Sequence, residues 1–273
     1  MPKKTILGIL WILVLAAPIF WHLGFMVIQP WDESLFAIRA YHILEKGEVL
    51  KNFDFYSKNI EFSNSKPVFM TLVQCISCKI LGFSEFALRL PTAICTFLLC
   101  VCLPFITQRA FKNFTIGILA SLVLICSLGL VYFHMGRSAN QDIPFVLFLF
   151  LFIYYLYFYL NERKLKDAVL TIVFFAMAYF TKSVFVFISI PAIIIMAISK
   201  KQLLTLLNDK KIIFLLLILL VILGISMFDS IEHFNNYKRL LQVKKHDGPL
   251  YFYLKWMIAD KLFFLGSLLY LWV

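Results

Sequence analysis

The carboxylates of this 273-residue sequence that could take part in chemistry stand where apolar segments begin or end. Asp32 and Glu33 directly follow an apolar run over residues 6–28, and Asp142 directly precedes another over residues 143–160. A carboxylate placed there can accept a proton from an attacking hydroxyl or amine. The structural alternative stays open, since each acid could instead cap the helix that follows it.

Cations and a histidine lie in the same kind of connector between apolar runs. They are Lys66, Arg137, Lys182, Arg239 and His246. Together with the acids they would suit chemistry on a charged lipid headgroup, with the cations holding the phosphate. Lys66 and Lys182 could equally be interfacial anchors, and His246 an ordinary loop residue.

The composition is that of a membrane protein. The chain is 62% hydrophobic and 15% charged, whereas a soluble domain is roughly half apolar and about a quarter charged. The net charge of +11 is concentrated in short connectors, which argues against a nucleic-acid partner and for basic residues that set membrane orientation. The pair Cys75-x-x-Cys78 lacks the second pair of a metal site, so we expect the six cysteines to serve packing.

Eight predominantly apolar runs predict one transmembrane domain over residues 1–273. They cover residues 6–28, 86–106, 113–133, 143–160, 168–181, 184–198, 212–228 and 261–273. The fifth and sixth are short and could form one bent hairpin. Because the sequence stops inside the eighth run, we expect it to be the N-terminal part of a longer protein.

The distribution of Lys and Arg predicts a cytoplasmic N-terminus. Basic residues concentrate at the N-terminus and in the connectors after the second, fourth and sixth runs, whereas two short connectors on the opposite side hold Arg137 and Lys182 alone. The outer connectors are then 29–85, 134–142, 182–183 and 229–260.

The first outer loop predicts two amphipathic helices at the membrane surface. The first runs over residues 33–46 and ends at Gly47; the second begins after Pro67 and ends at Gly82. The apolar face of the first comprises Phe36, Ala40, Ile43 and Leu44. Arg89, one turn inside the next span, is expected to reach the outer interface by snorkelling. The fold class predicted is therefore all-α: a polytopic transmembrane helical bundle with interfacial helices in its first outer loop.

Several short motifs follow one another in a definite order. They are Trp31-Asp32-Glu33, Ser65-Lys66-Pro67, GFSEFALRLP at 82–91, GRSANQDIP at 136–144, Thr181-Lys182-Ser183, and KHDGPLYFY at 245–253. This series resembles the polyprenyl-phosphate-sugar-dependent glycosyltransferases of the GT-C class, in the branch of the lipid A aminoarabinose transferases and protein mannosyltransferases. The resemblance covers almost all of residues 25–260. The sequence departs from the pattern at three positions, with Leu35 for Arg, Val68 for Pro and Ser183 for Gly.

The resemblance implies roles for individual residues. Asp32 would be the base or acceptor-orienting acid, with Glu33 beside it and Asp142 as a second carboxylate in the same cavity. Donor phosphate would be bound by Lys66, Lys182 and Arg239. Further site candidates are Arg137, His246 and Tyr253. No tightly bound cofactor is implied; a divalent metal stays open, although Ser65, where an acid would be needed, argues against a metal paired with His246.

The implied activity is transfer of a sugar from a polyprenyl-phosphate-linked donor to a lipid, glycan or protein acceptor. The expected location is a bacterial inner membrane, with the active site on the periplasmic side and membrane lipids, the lipid-linked donor and an unknown acceptor as partners. A transporter or flippase is the main alternative, but it needs ionisable groups near the bilayer midplane, and the spans largely lack them. A non-catalytic membrane scaffold is the third possibility.

Overall fold

The computed structural model of the chain describes residues 3–30, 32–47, 49, 67–127, 130, 135–199, 217 and 221. These residues lie within one compact unit, Met1–Ser226. They form α-helices and one 3-10 helix, with no strand among them, so the all-α prediction is confirmed. The helices are α1 (Lys3–Phe20), α2 (Asp32–Lys46), α3 (Phe69–Leu81), α4 (Glu85–Phe111), α5 (Phe114–Ile125), α6 (Asp142–Glu162), α7 (Leu165–Lys182) and α8 (Ile190–Ser199), with the 3-10 helix Ser183–Ser189 between the last two.

Two long apolar helices, α4 and α6, run through the centre of the described bundle. They have 27 and 21 residues and mean hydropathies of 2.1 and 2.2, so each is long and apolar enough to cross a membrane. Aromatic pairs join α6 to α7: Phe152 meets Phe175 edge-on at 5.2 Å, and Tyr155 stacks on Phe174 at 5.5 Å. Such pairs add to the burial of apolar area, so α6 and α7 pack as one unit.

The first helix ends earlier than its apolar run. α1 stops at Phe20, although the run over residues 6–28 predicts a longer helix. The carbonyl oxygens of Leu23, Met26 and Val27 all accept hydrogen bonds from the side chain of Arg89. The guanidinium of Arg89 therefore binds the turn through which the chain leads from α1 into α2.

Helices α2 and α3 pack against the bundle. α2 begins one residue before the predicted helix, and both helices end at glycines in the left-handed region, Gly47 at φ +66° and Gly82 at φ +83°. The apolar face predicted to rest on the membrane is mostly buried within the protein: Phe36, Ala40 and Ile43 are covered, while Leu44 is 37% exposed. Cys75 and Cys78 of α3 are buried in one apolar cluster with Ala40 and Ile43 of α2.

The predicted fifth and sixth spans correspond to three consecutive elements. The helix α7 covers the fifth, and the 3-10 helix and α8 follow directly over the sixth. The α-helix gives way to the 3-10 helix at Ser183, which has φ +52° and ψ −125°. The third predicted span, 113–133, begins as α5, which ends at Ile125. Apart from residues 217 and 221, the predicted spans 212–228 and 261–273 lie outside the described residues.

Candidate active site

The two adjacent acids at the start of α2 have different environments. Asp32, the first residue of α2, is exposed, whereas Glu33 is only 4% exposed. Successive residues of a helix point about 100° apart, so one acid can face solvent while its neighbour faces the core. The two neighbouring acids therefore face different surroundings: Asp32 lies at the surface, and Glu33 lies in the protein interior.

Glu33 is bound by four hydrogen-bond donors. Its Oε1 accepts from Arg89 Nε at 2.7 Å and from the Ala139 N–H at 2.8 Å. Its Oε2 accepts from Arg89 Nη2 at 2.9 Å and from the Gln29 N–H at 2.8 Å. Burial works against the charged form, but the bonds from Arg89, Gln29 and Ala139 prevail and hold the pKa of Glu33 below its ordinary value.

Arg89 is equally well satisfied. It is 3% exposed and lies in the first turns of α4. Nη1 donates to the carbonyls of Leu23 at 3.0 Å and Met26 at 2.7 Å, and Nη2 donates to that of Val27 at 2.9 Å as well as to Glu33. With Nε also on Glu33, these bonds account for the five N–H donors of a guanidinium. The snorkelling expected of Arg89 is wrong, because the side chain turns inward to a buried carboxylate.

The segment before α6 is fixed to α3 and α4. Thr92 and Thr96 of α4 donate to the carbonyls of Asn140 at 2.9 Å and Gly136 at 3.0 Å. Gln74 of α3 donates to the carbonyl of Ala139 at 3.0 Å. A Cβ at Gly136 would lie 2.6 Å from the Leu130 oxygen and 2.8 Å from the Thr96 hydroxyl, so only glycine fits there. These contacts set where α6 begins.

Arg137 projects from this segment toward the end of α1. Its Nη2 donates to the carbonyl oxygen of Trp21. Burial and the nearby charge of Arg89 lower the pKa of Arg137 from its ordinary value, in that order of importance. The residue is half-buried beside the site, and it connects the 135–141 segment to the turn after α1.

Asp142 and Lys182 form an ion pair across the α6–α7 pair. The Nζ of Lys182 donates to Oδ1 of Asp142, and Asn140 Nδ2 donates to Oδ2 at 3.0 Å. The two side chains are 30% and 31% exposed, so the pair stays accessible to a ligand. The alternative of a capping role does not hold for Asp142 as N-cap: the N-cap is Gln141, which makes no side-chain cap bond, and Asp142 is the first helical residue. The Gln141 amide instead donates to the carbonyl of Pro67 at 3.3 Å.

An apolar cavity of about 500 Å³ lies between α3, α4, α6 and α7. Phe148 of α6 and Met177 of α7 are part of its wall, within about two helical turns of Asp142 and Lys182 respectively. Other lining residues, such as Ile76, Ile80 and Ile94, are exposed at the surface of the bundle. The cavity is thus a lateral apolar groove, and the ion pair lies on the two helices that supply Phe148 and Met177 to its wall.

Other predicted site residues lie outside the described residues. They are Lys66, Arg239, His246 and Tyr253. Pro67, which follows Lys66 in the chain, is described and accepts the bond from Gln141 beside Asp142. In the part of the chain that the structure describes, no three His, Cys, Asp or Glu side chains converge to hold a metal ion.

Sequence reasoning missed the buried partner of Glu33 and the threonines that fix the loop. A charged side chain within an apolar segment usually has a named partner, so Arg89 alone was a signal that a carboxylate lies opposite. Thr92 and Thr96 follow at spacings of three and four residues, on one face of the same helix. That polar stripe could have indicated the face of α4 against which the 135–141 segment packs.

The comparisons with known proteins agree with this architecture. The chain belongs to the family described as dolichyl-phosphate-mannose-protein mannosyltransferase, whose model matches residues 65–228, more than half of the sequence. The resemblance to the GT-C class is therefore confirmed, and with it a polytopic helical membrane fold.

Solved structures show the same fold in ArnT from Cupriavidus metallidurans. The crystal structure of its apo state matches with a TM-score of 0.68 and 16% identity, over 95% of this chain and 49% of that chain. The structure bound to undecaprenyl phosphate matches with a TM-score of 0.62 and 14% identity, over 84% and 42%. An uncharacterized protein of Aquifex aeolicus (strain VF5) is 27% identical over 149 residues, covering 55% of this chain and 28% of its own. The chain spans half or less of the length of each of these proteins.

Proposed function

We propose that the full-length protein is a membrane glycosyltransferase that uses a polyprenyl-phosphate-linked sugar as donor. The observation that carries the proposal is the accessible Asp142–Lys182 pair beside a lateral apolar groove. A lipid phosphate needs a cation for its headgroup and apolar surface for its chain, and this arrangement offers both within about two helical turns. Family membership and the ArnT fold support the same donor class.

Asp32 is the proton acceptor in this proposal. It is exposed, while all four hydrogen bonds to Glu33 engage both oxygens of that residue, so Glu33 is assigned to holding the site together. An acceptor hydroxyl or amine attacks the anomeric carbon as Asp32 takes its proton. The bond from that carbon to the phosphate oxygen breaks, and the polyprenyl phosphate leaves with the electron pair. Attack opposite the leaving group inverts the anomeric centre.

Lys182 stabilises the departing phosphate. An ammonium held beside the developing charge lowers the transition state because it is already in position when the bond breaks. Asp142 keeps Lys182 at the groove before the donor arrives. Lys66 and Arg239 are proposed as further phosphate contacts, Arg137, His246 and Tyr253 as further site residues, and a divalent metal as an open possibility.

Charge placement supports an active site on the outer face. Asp32, Arg137, Asp142 and Lys182 belong to helix ends and connectors predicted to be external. Arg109, at the other end of α4, pairs with Asp167 at 2.8 Å and Glu162 at 3.2 Å, and these residues lie in two connectors predicted to be cytoplasmic. The proposal therefore places the N-terminus in the cytoplasm and transfer at the periplasmic face of a bacterial inner membrane.

The test is turnover by purified full-length protein in liposomes. Polyprenyl-phosphate sugars would be supplied with cell-envelope glycolipids and glycoproteins, and mass spectrometry would follow both the acceptor and the released polyprenyl phosphate. The proposal expects sugar on an acceptor and an equal amount of free polyprenyl phosphate. Movement of the intact donor across the bilayer without release of polyprenyl phosphate would identify a flippase instead.

A further inference from the structure

We propose that the Glu33–Arg89 ion pair is the positioning device that sets the placement of Asp32 relative to Asp142. The pair itself is buried and saturated with hydrogen bonds, so it is removed from the bond-breaking chemistry. Its consequence for catalysis rests on the proposed function. Its consequence for geometry does not, and can be measured without any turnover.

Both accessible acids are connected to the same carboxylate. Asp32 precedes Glu33 in the chain, so their Cα atoms are about 3.8 Å apart. Asp142 follows Ala139 by three residues, and the Ala139 N–H donates to Glu33 Oε1 at 2.8 Å. The route from one acid to the other thus passes through Glu33, whose bond to Ala139 joins residues that are 106 positions apart in the sequence.

Arg89 makes this bridge rigid because it binds more than the carboxylate. Its guanidinium donates two hydrogen bonds to Glu33 and three to carbonyl oxygens of the turn after α1. The N-terminus of α2 is therefore fixed both from α4 and from the turn that precedes it. A network in which every donor and acceptor is used has one favoured arrangement, since any displacement leaves a buried polar group unpaired.

Neither partner has an equivalent substitute. Lysine keeps the charge of Arg89 but lacks the planar fork, so it cannot reach both Glu33 oxygens and three carbonyls together. Aspartate at position 33 keeps the negative charge but is one methylene shorter. These two variants change the geometry of the bridge while preserving its charges, which makes them sharper probes than alanine.

The other end of α4 offers a matched control. Arg109 also binds carboxylates through a guanidinium fork, at 3.0 Å and 2.8 Å to the two oxygens of Asp167. It lies in the last turn of the same helix, at the opposite end from Arg89. Arg109→Lys therefore alters the same type of interaction on the same helix without touching either acid.

The experiment measures a distance and a rate on the full-length protein. Spin labels would be carried at Glu45 of α2 and Met135 of the 135–141 segment, both exposed, by a genetically encoded reactive residue that leaves the six cysteines unlabelled. Pulsed electron spin resonance then gives the distance distribution in the wild type, Arg89→Lys, Glu33→Asp and Arg109→Lys. The kcat and the donor KM of the same variants are measured without labels, per folded protein.

We expect Arg89→Lys and Glu33→Asp to broaden or shift the distance distribution and to lower kcat about 100-fold, the loss expected of a displacement of roughly 1 Å, with little change in donor KM. Arg109→Lys should change neither. An unchanged distribution in both site variants would overturn the proposal, as would a changed distribution with wild-type kcat. If Arg89→Lys and Glu33→Asp give less folded protein but a normal kcat per folded molecule, the pair only stabilises the fold and the proposal is overturned. A folded wild type that transfers no sugar would count against the proposed function. The measured distances would still decide whether the Glu33–Arg89 pair sets the placement of α2 relative to the 135–141 segment.

Discussion

Asp142 and Lys182 close the same end of two neighbouring helices. Asp142 is the first residue of α6 and Lys182 the last of α7, and their side chains pair although 40 residues separate them. Each of these two helices also gives one residue, Phe148 or Met177, to the apolar groove, whose other lining residues belong to α3 and α4.

Replacing Lys182 with alanine should weaken donor binding. A charge-assisted contact contributes about 1.5–3 kcal/mol, so the dissociation constant of a polyprenyl phosphate should rise roughly 10- to 100-fold. Equilibrium binding of labelled polyprenyl phosphate measures this. Lys166→Ala is the control, since Lys166 is an exposed lysine near the other end of α7. Equal affinities in both variants would remove Lys182 from the phosphate site.

Replacing Ser183 with glycine should stabilise the protein. Ser183 adopts φ +52° with ψ −125°, a region that side-chain-bearing residues rarely occupy. Such strain costs on the order of 1–3 kcal/mol, and glycine relieves it. Thermal unfolding in detergent should show a higher Tm.

The control for Ser183 lies in the same 3-10 helix. Ser189 is buried and donates to the carbonyl of Val186 at 2.7 Å, so Ser189→Gly removes a hydrogen bond and should lower the Tm. Should both glycine variants lower it alike, the backbone at Ser183 carries no strain that glycine can relieve.

Replacing Gly136 with alanine should disturb the segment that leads to Asp142. The added Cβ would come within 2.6 Å of a backbone oxygen, which cannot move as a side chain can. Overpacking of this kind costs about 1–3 kcal/mol, and donor binding should weaken as Asp142 and its partner shift. Gly8→Ala in α1 meets nothing within 4 Å and serves as the control. Unfolding and binding measurements that find the two variants equal would contradict the tight seating of Gly136.

Stability should depend on pH through Glu33. Its folded pKa lies below the ordinary value of 4.5, so its contribution is fully present above about that pH and is lost as the pH falls through the folded pKa. Glu33→Gln leaves the Arg89 charge without its carboxylate and should cost about 3–5 kcal/mol at neutral pH. The difference from the wild type should narrow as the pH falls below 4.5. Unfolding curves across that range measure it, and a constant difference would show that the Glu33 charge contributes nothing.

How far the sequence predicts the structure depends on whether the cause is local. Gly47 and Gly82 end α2 and α3 as predicted, because a left-handed residue is a property of one position. Glu33 and Arg89 lie 56 residues apart, and nothing in either local pattern names the other. The turn after Phe20 is bound by that distant arginine, and the apolar run alone could only predict a longer helix.

In the candidate site, too, the sequence predicts features with a local cause and not those that depend on distant residues. Ordered motifs place Asp32, Asp142 and Lys182 at helix ends, and the structure pairs the last two. Periodicity predicts an amphipathic α2 but does not say what covers its apolar face, which proves to be α3 and α4. The different environments of Asp32 and Glu33 depend on tertiary packing, and adjacent acids in a sequence carry no information about it.

The proposed mechanism is tested most directly by sugar transfer in the full-length Asp32→Asn variant. Asparagine nearly preserves the shape of the side chain but cannot accept the acceptor's proton, so transfer should be lost while folding and binding of polyprenyl phosphate stay at wild-type levels. Glu85→Gln, at the start of α4, is the matched carboxylate control and should transfer normally. Full transfer activity in purified, folded Asp32→Asn would contradict the assignment of Asp32 as the base.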